Sequence, residues 1–150
     1  MFKSLLTVLG TSLIASTLYA AQYEVKMVNR NQLGAMSYEP SYLNIQPGDT
    51  VKFLRTAPGH NAATISSMWP EGAATFRGNI NEEIVMSFDQ EGIYGIECTP
   101  HMAMGMVMVI QVGDKDLSTV SAPESLPLQI LNSSMQTKPS LKISKRLLSA

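Results

Sequence analysis

The segment Tyr94–Met106, with the sequence YGIECTPHMAMGM, concentrates side chains that bind soft metal ions. It contains Cys98, the single cysteine among 150 residues, His101, one of two histidines, and three of the ten methionines. The other histidine, His60, follows Pro-Gly. Two imidazoles, one thiolate and a weak thioether are the donors of a mononuclear blue-copper site. These residue types predict such a site, built from His60, Cys98, His101 and one methionine.

The spacing leaves two candidates for the methionine ligand. Met102 is too near His101 in sequence to turn back to the same metal, whereas Met104 and Met106 both have the reach. Period-two alternation places these two on one side of a strand together with Met108. Gly105 permits a sharp bend just before residue 106, which favours Met106 and leaves Met104 open.

Other metal and catalytic chemistries fit the sequence less well. A structural zinc site prefers four Cys or His donors, and this chain supplies three. A Cys–His hydrolase needs an activated thiolate and an orienting third group, and no local signature of one is present. A second copper centre would need further histidines. A lone cysteine also excludes an internal disulfide and a c-type haem. Taken singly, the cysteine and the methionines could simply fill the core and the histidines could be polar loop residues. That the single cysteine and both histidines lie at positions compatible with one metal site disfavours these ordinary roles.

The N-terminal residues have the layout of a secretory signal peptide. Lys3 precedes an uncharged, mainly apolar run at 5–18, and Ala20 offers a small residue before the cut. The run is shorter than the ~20 residues of a membrane-spanning helix, so retention as an anchor is the less favoured alternative. We predict a signal peptide at 1–20, and no membrane contact after its removal. The net charge of −1 and the absence of Lys/Arg clusters argue against nucleic-acid binding.

The region after the signal peptide has the pattern of short β-strands. Apolar residues alternate with polar ones, as in Tyr23, Val25 and Met27. Further strands are predicted at 50–54, 84–88, 94–98 and 106–112, and a broken or edge strand around Pro40. Short strands with turns at this spacing predict an all-β Greek-key sandwich or barrel in one domain, residues 21–113. Residues 114–150 predict a short helical extension, with a frayed tail as the alternative.

In these motifs the chain resembles the pseudoazurins, small blue-copper proteins of the cupredoxin family. The resemblance runs from Ala21 to Asp114 and includes GAMSYEP (34–40), QPGDTVKF (46–53), GHN (59–61), INE (80–82) and YGIECTPHMAMGM. It implies an eight-stranded cupredoxin sandwich with one type 1 copper ion, Met106 as the axial ligand and both histidines bound through Nδ1. It also implies that Asn61 ties the two ligand loops together, and that Asn29 and Thr99 support the ligands by hydrogen bonds.

The resemblance implies a function as well. Family members are electron carriers of the periplasm, not enzymes, and pass one electron at a time as monomers. Their partners are copper nitrite reductase and c-type cytochromes, met in transient complexes. The matching docking patch is apolar and surrounds the second histidine: Met36, Pro100, Met102, Ala103 and Met104. The family has a ring of lysines around this patch. Here Arg30, Arg55 and Arg77 remain, but Glu97 lies beside the cysteine and Pro58 beside the first histidine, and residues 21–113 are net acidic, which predicts weaker electrostatic steering.

Two other functions remain open on the sequence. A periplasmic copper-handling protein could store or deliver the metal through Met36, Met102 and Met104. A secreted sandwich that binds protein partners without any metal would keep its function after Cys98→Ser.

Overall fold

A computed structural model of the chain describes residues 20–115 as two four-stranded sheets. In chain order the strands are β1 (Gln22–Asn31), β2 (Gly34–Glu39), β3 (Tyr42–Ile45), β4 (Asp49–Leu54), β5 (Ala63–Thr64), β6 (Ile84–Phe88), β7 (Gly92–Glu97) and β8 (Val107–Val112). Sheet 1 has the order β2-β1-β4-β6 and sheet 2 the order β3-β8-β7-β5. The β1–β4 and β3–β8 pairs are parallel and all others antiparallel. The predicted all-β sandwich of eight strands is confirmed.

The strands form where the apolar residues alternate. In β1, Val25 and Met27 are fully buried, while Glu24 and Lys26, which alternate with them, are exposed. In β4, Val51 and Phe53 are buried in the same way. These faces meet the inner face of sheet 2 in one core, in which burial of apolar surface is the main stabilising term.

Pro40 separates two edge strands, as predicted. Strand β2 before it lies at the outer edge of sheet 1, and β3 after it at the outer edge of sheet 2. Proline has no N–H to donate to a ladder, so the chain can leave one sheet there and enter the other. After this crossing, the third strand of the chain, β3, pairs with the last strand, β8.

Two elements near the donor residues differ from the predictions. A two-residue strand, β5, was not predicted, since so short a segment has no measurable periodicity. The alternation of Met104 with Met106 and Met108 is wrong. Met104 lies in a 3₁₀ helix, Thr99–Met104, and is 57% exposed, whereas the other two are fully buried. Gly105, in the left-handed conformation with φ of 84°, ends this helix and resets the direction of the chain.

The terminal predictions lie almost wholly outside the described residues. These are the signal peptide at 1–20 and the helical extension at 114–150. Within the part of the chain that the structure describes, no helix has the length and hydropathy needed to cross a membrane.

Candidate metal centre

Two chain segments at one end of the sandwich bring together His60, Cys98 and His101. His60 lies in the loop after β4, Cys98 directly follows β7, and His101 is in the 3₁₀ helix that begins at Thr99. The ligand atoms of these three residues all lie within 4.8 Å of one another. The structure thus places three of the predicted donors in one cluster.

The three donor atoms form a compact triangle. The Cys98 sulfur lies 3.7 Å from Nδ1 of His60 and 3.4 Å from Nδ1 of His101, and the two nitrogens are 3.2 Å apart. A point equidistant from the three lies about 2 Å from each, close to the roughly 2.0–2.3 Å of zinc bonds to imidazole and thiolate. Converging electron pairs at this spacing suit a small, soft cation, and the residues present therefore fit a copper ion.

Backbone hydrogen bonds fold the loop between Cys98 and Met106 back on itself. Cys98 donates its N–H to the Met106 carbonyl at 3.0 Å, and Met106 donates to the His101 carbonyl at 3.1 Å. Met106 is fully buried in the same core cluster as Cys98. Met104, the other candidate thioether, is mostly in solvent. Burial beside the cysteine therefore favours Met106 as the fourth donor.

Asn29 fixes the imidazole of His60. Its Oδ1 lies 2.8 Å from Nε2 of His60, so the ring donates its Nε2–H there and leaves the Nδ1 electron pair facing Cys98. Burial, and secondly the nearby His101, lower the pKa of His60. The neutral ring, which is the form that binds a metal, is thereby favoured.

Asn61 joins the two segments that carry the donors. Its Oδ1 accepts the Thr99 N–H at 2.8 Å, and its Nδ2 donates to the Thr99 hydroxyl at 3.1 Å and to the Gly78 carbonyl at 2.9 Å. The side chain is 3% exposed, so these hydrogen bonds are shielded from water. The structure places Asn29, Asn61 and Thr99 around the donors.

Burial raises the pKa of the Cys98 thiol, and hydrogen bonds from the backbone N–H groups of Asn61 and His101 partly oppose this. A thiol must lose its proton to bind a metal, so metal binding here releases a proton. Tyr38 lies behind the same site and donates its hydroxyl to the Asn61 carbonyl at 2.7 Å. Burial, followed by the charges of Cys98 and Glu97, raises the pKa of Tyr38 well above 10.0.

The residues of the predicted docking patch lie on the exposed side of the site. Pro100, Ala103 and Met104 are exposed, and Met36 and Met102 are half-buried. His101, in the same 3₁₀ helix as four of them, is half-buried, whereas His60 has no exposed surface.

Three contacts around the site were missed in the sequence. Tyr38 lies in the broken or edge strand predicted around Pro40, Arg77 counted only toward the charge around the patch, and Asn81 appeared only within the INE motif. Arg77 donates from Nη1 to the Thr99 hydroxyl at 3.1 Å, and Asn81 contacts the backbone on both sides of His60. These contacts depend on which loops meet in space, and no local pattern indicates that.

Comparisons with known proteins agree with the fold and the site. A profile described as copper binding proteins of the plastocyanin/azurin family matches residues 25–113. The pseudoazurin of Methylorubrum extorquens is 47% identical over 104 residues, covering 68% of this chain and 70% of that protein. That of Paracoccus pantotrophus is 41% identical over 113 residues, covering 75% and 73%. The crystal structure of pseudoazurin from Methylobacterium extorquens AM1 is 36% identical, with a TM-score of 0.70, covering 78% of this chain and 99% of that one.

The two-sheet sandwich and the His–Cys–His cluster therefore define a copper-binding protein of the plastocyanin/azurin class. Within that class the chain belongs to the pseudoazurin family. Its cofactor is a type 1 copper, and it is an electron carrier, not an enzyme.

Proposed function

We propose that His60, Cys98, His101 and Met106 bind a single copper ion, and that the protein passes electrons one at a time between redox partners. The observation that supports this most directly is the triangle of Nδ1, Nδ1 and Sγ atoms with sides of 3.2, 3.4 and 3.7 Å. Copper bound there supplies a one-electron Cu(II)/Cu(I) couple.

The protein's own residues hold the donors still and keep water away. His60, Cys98 and Met106 are fully buried, so solvent does not compete at three of the four positions. Asn29 orients the His60 ring, and Asn61 locks the two donor segments together. Donors that keep their positions in both oxidation states allow the electron to move with little rearrangement of the site.

His101 and the apolar patch around it provide the route to a partner. His101 is half-buried and shares its 3₁₀ helix with Pro100, Met102, Ala103 and Met104, and Met36 lies in β2, which contacts that helix, so a docked protein can approach one donor of the site. Small apolar contacts suit brief complexes, and flexible methionines adapt to more than one partner. By resemblance to the family we propose copper nitrite reductase and c-type cytochromes as partners, met by a monomer.

We also propose that the protein works in the periplasm. The charged, apolar and small-residue layout of 1–20 supports export by a cleaved signal peptide. The domain at 21–113 would then carry the copper, and 114–150 would form a C-terminal helical extension. N-terminal sequencing of protein taken from the periplasmic fraction tests both the cleavage after Ala20 and the location.

The ligand assignment is tested by colour and potential. Loading with cupric salt should give an intense blue absorption from thiolate-to-copper charge transfer, and Cys98→Ser should abolish it. Met106→Ala and Met104→Ala are a matched pair: the first should change the spectrum and the midpoint potential, and the second should change neither. A colourless wild-type protein contradicts the function, and an altered Met104→Ala spectrum with an unchanged Met106→Ala spectrum contradicts the choice of ligand.

Copper storage or delivery is the alternative function. The exposed Met104 thioether beside the site favours it, because such sulfurs bind Cu(I). A delivery protein should release Cu(I) readily to a chelator and lose metal on redox cycling. An electron carrier should cycle repeatedly and keep its metal.

A further inference from the structure

We propose that Asn81 is a positioning residue for His60, which it holds through the backbone on both sides of the ligand. This rests on the assignment of His60 as a copper ligand. Asn81 accepts the Gly59 N–H on its Oδ1 at 2.7 Å, and donates its own N–H to the His60 carbonyl at 2.8 Å. The peptide groups before and after His60 are therefore bonded to one residue from another segment of the chain.

Asn81 makes both contacts from a left-handed backbone conformation. Its φ is 67°, in the left-handed region, where few residues other than glycine are found and where asparagine is the most tolerated. Its side chain is exposed and fills no space in the core. Asn81 occupies the third position of the turn that the Glu82 N–H closes on the Asn79 carbonyl at 3.2 Å, and from this conformation its N–H and its Oδ1 both reach the His60 loop.

Neighbouring hydrogen bonds hold the whole turn against the ligand loop. Gly78 donates its N–H to the Ala62 carbonyl at 2.9 Å and accepts from Asn61 Nδ2 at 2.9 Å. Within the turn, Glu82 accepts the Asn79 N–H at 2.6 Å. Gly78 and Asn81, at the two ends of residues 78–81, are thus hydrogen-bonded to residues 59–62, and Asn81 forms the end of this contact nearest His60.

Together with Asn29, this contact fixes His60 at two levels. Asn29 sets the rotation of the imidazole, and Asn81 sets the position of the backbone that carries it. The ligand is then held in its metal-binding position before any metal arrives, which lowers the cost of ordering on binding.

Three variants separate the hydrogen bond from the backbone strain. Asn81→Gly keeps the left-handed conformation and the main-chain N–H but loses Oδ1. Asn81→Asp keeps the acceptor, and Asn81→Ala loses the acceptor and adds strain. In metal-free protein followed by NMR hydrogen exchange, the Gly59 amide should exchange roughly threefold to tenfold faster in the Gly and Ala variants, as for one lost hydrogen bond. The Asp variant should remain at the wild-type rate.

Copper affinity and stability complete the test. Competition with a chelator should show roughly tenfold weaker copper binding in Asn81→Gly, the usual cost of losing support for a ligand. Its resistance to unfolding should fall slightly, because one hydrogen bond is lost and glycine gains freedom in the unfolded chain, and relief of the left-handed conformation offsets only part of this. Unchanged Gly59 exchange and copper affinity in Asn81→Gly would overturn the proposal, as would an Asp variant that behaves like Gly. If the proposed function is wrong, the wild-type protein stays colourless after loading with copper. The exchange rates are measured without metal, so they test the role of Asn81 separately.

Discussion

The two histidines of the copper site lie in opposite environments. His60 is fully buried, its ring is hydrogen-bonded to Asn29, and the backbone around it is held by Asn81. His101 is half-buried in a six-residue 3₁₀ helix, whose carbonyls bond mainly within the same loop. The site therefore has a rigid, buried half around His60 and an accessible half around His101.

This difference separates two requirements of electron transfer. Rigid donors keep the rearrangement between oxidation states small, which calls for buried side chains with satisfied hydrogen bonds. A partner must also come close to one donor, which calls for exposure. Asn61 and Thr99 connect the halves, so that the exposed donor is placed relative to the buried one.

The largest expected effect is on the stability of the metal-free protein. His60→Ala should lower the free energy of unfolding by roughly 2–3 kcal/mol, since it leaves a buried cavity and removes the ring's bond to Asn29. His101→Ala should cost no more than about 1 kcal/mol, because the site of truncation is open to solvent. Denaturant unfolding of both variants measures the difference. Equal costs would show that the two halves are not distinct.

Asn29→Ala tests the rigid half without removing a ligand. The His60 ring loses its Nε2 partner and can rotate, so copper affinity should fall about 10–100-fold. Asn31→Ala, in the same strand, is the control, since the hydrogen bonds of the Asn31 side chain go to the backbone of Leu33 and Tyr38; it should retain wild-type affinity. If competition with a chelator gives equal affinities for the two variants, Asn29 does not orient His60.

The strands and donor types could be predicted from the sequence because both depend on local information. Alternation at Val25 and Met27 indicates which face is buried, and a single cysteine with two histidines limits the possible metals. His60, Cys98 and His101 were thus predicted as donors before the fold was known, whereas the spacing alone left the choice between Met104 and Met106 open.

The rest of the site depends on contacts between distant segments. Asn81 approaches His60 only because the segment before β6 folds against the loop after β4. Met104 was placed beside Met106 because period-two alternation was extended across Gly105, whose left-handed conformation breaks it. Short 3₁₀ helices and single left-handed residues leave no periodic signal.

The acid sensitivity of the metal-free protein should come from the rigid half. Because the pKa of His60 is lowered below 6.5 in the folded state, the unfolded chain binds that proton more tightly. This stability is fully present above pH 6.5 and is lost as the pH falls below it. Unfolding of metal-free protein between about pH 5 and 7 should show the decline, and His60→Gln should reduce it. A decline of equal size in His60→Gln would assign it to other groups.

The smallest effect concerns charge at the accessible half. Ala63 pairs with Arg77 on one side and with Glu97 on the other, so opposite charges lie on the two sides of the short strand that follows His60. This balance gives weak steering, and electron transfer from an acidic partner should depend little on salt. Glu97→Lys should steepen that dependence and raise the low-salt rate by up to about tenfold, while changing stability by no more than about 0.5 kcal/mol. Stopped-flow rates over a range of ionic strength measure this. A steep salt dependence in the wild-type protein would mean that charges elsewhere on the surface dominate docking. Partners would then be attracted by electrostatic forces as well as by the apolar patch.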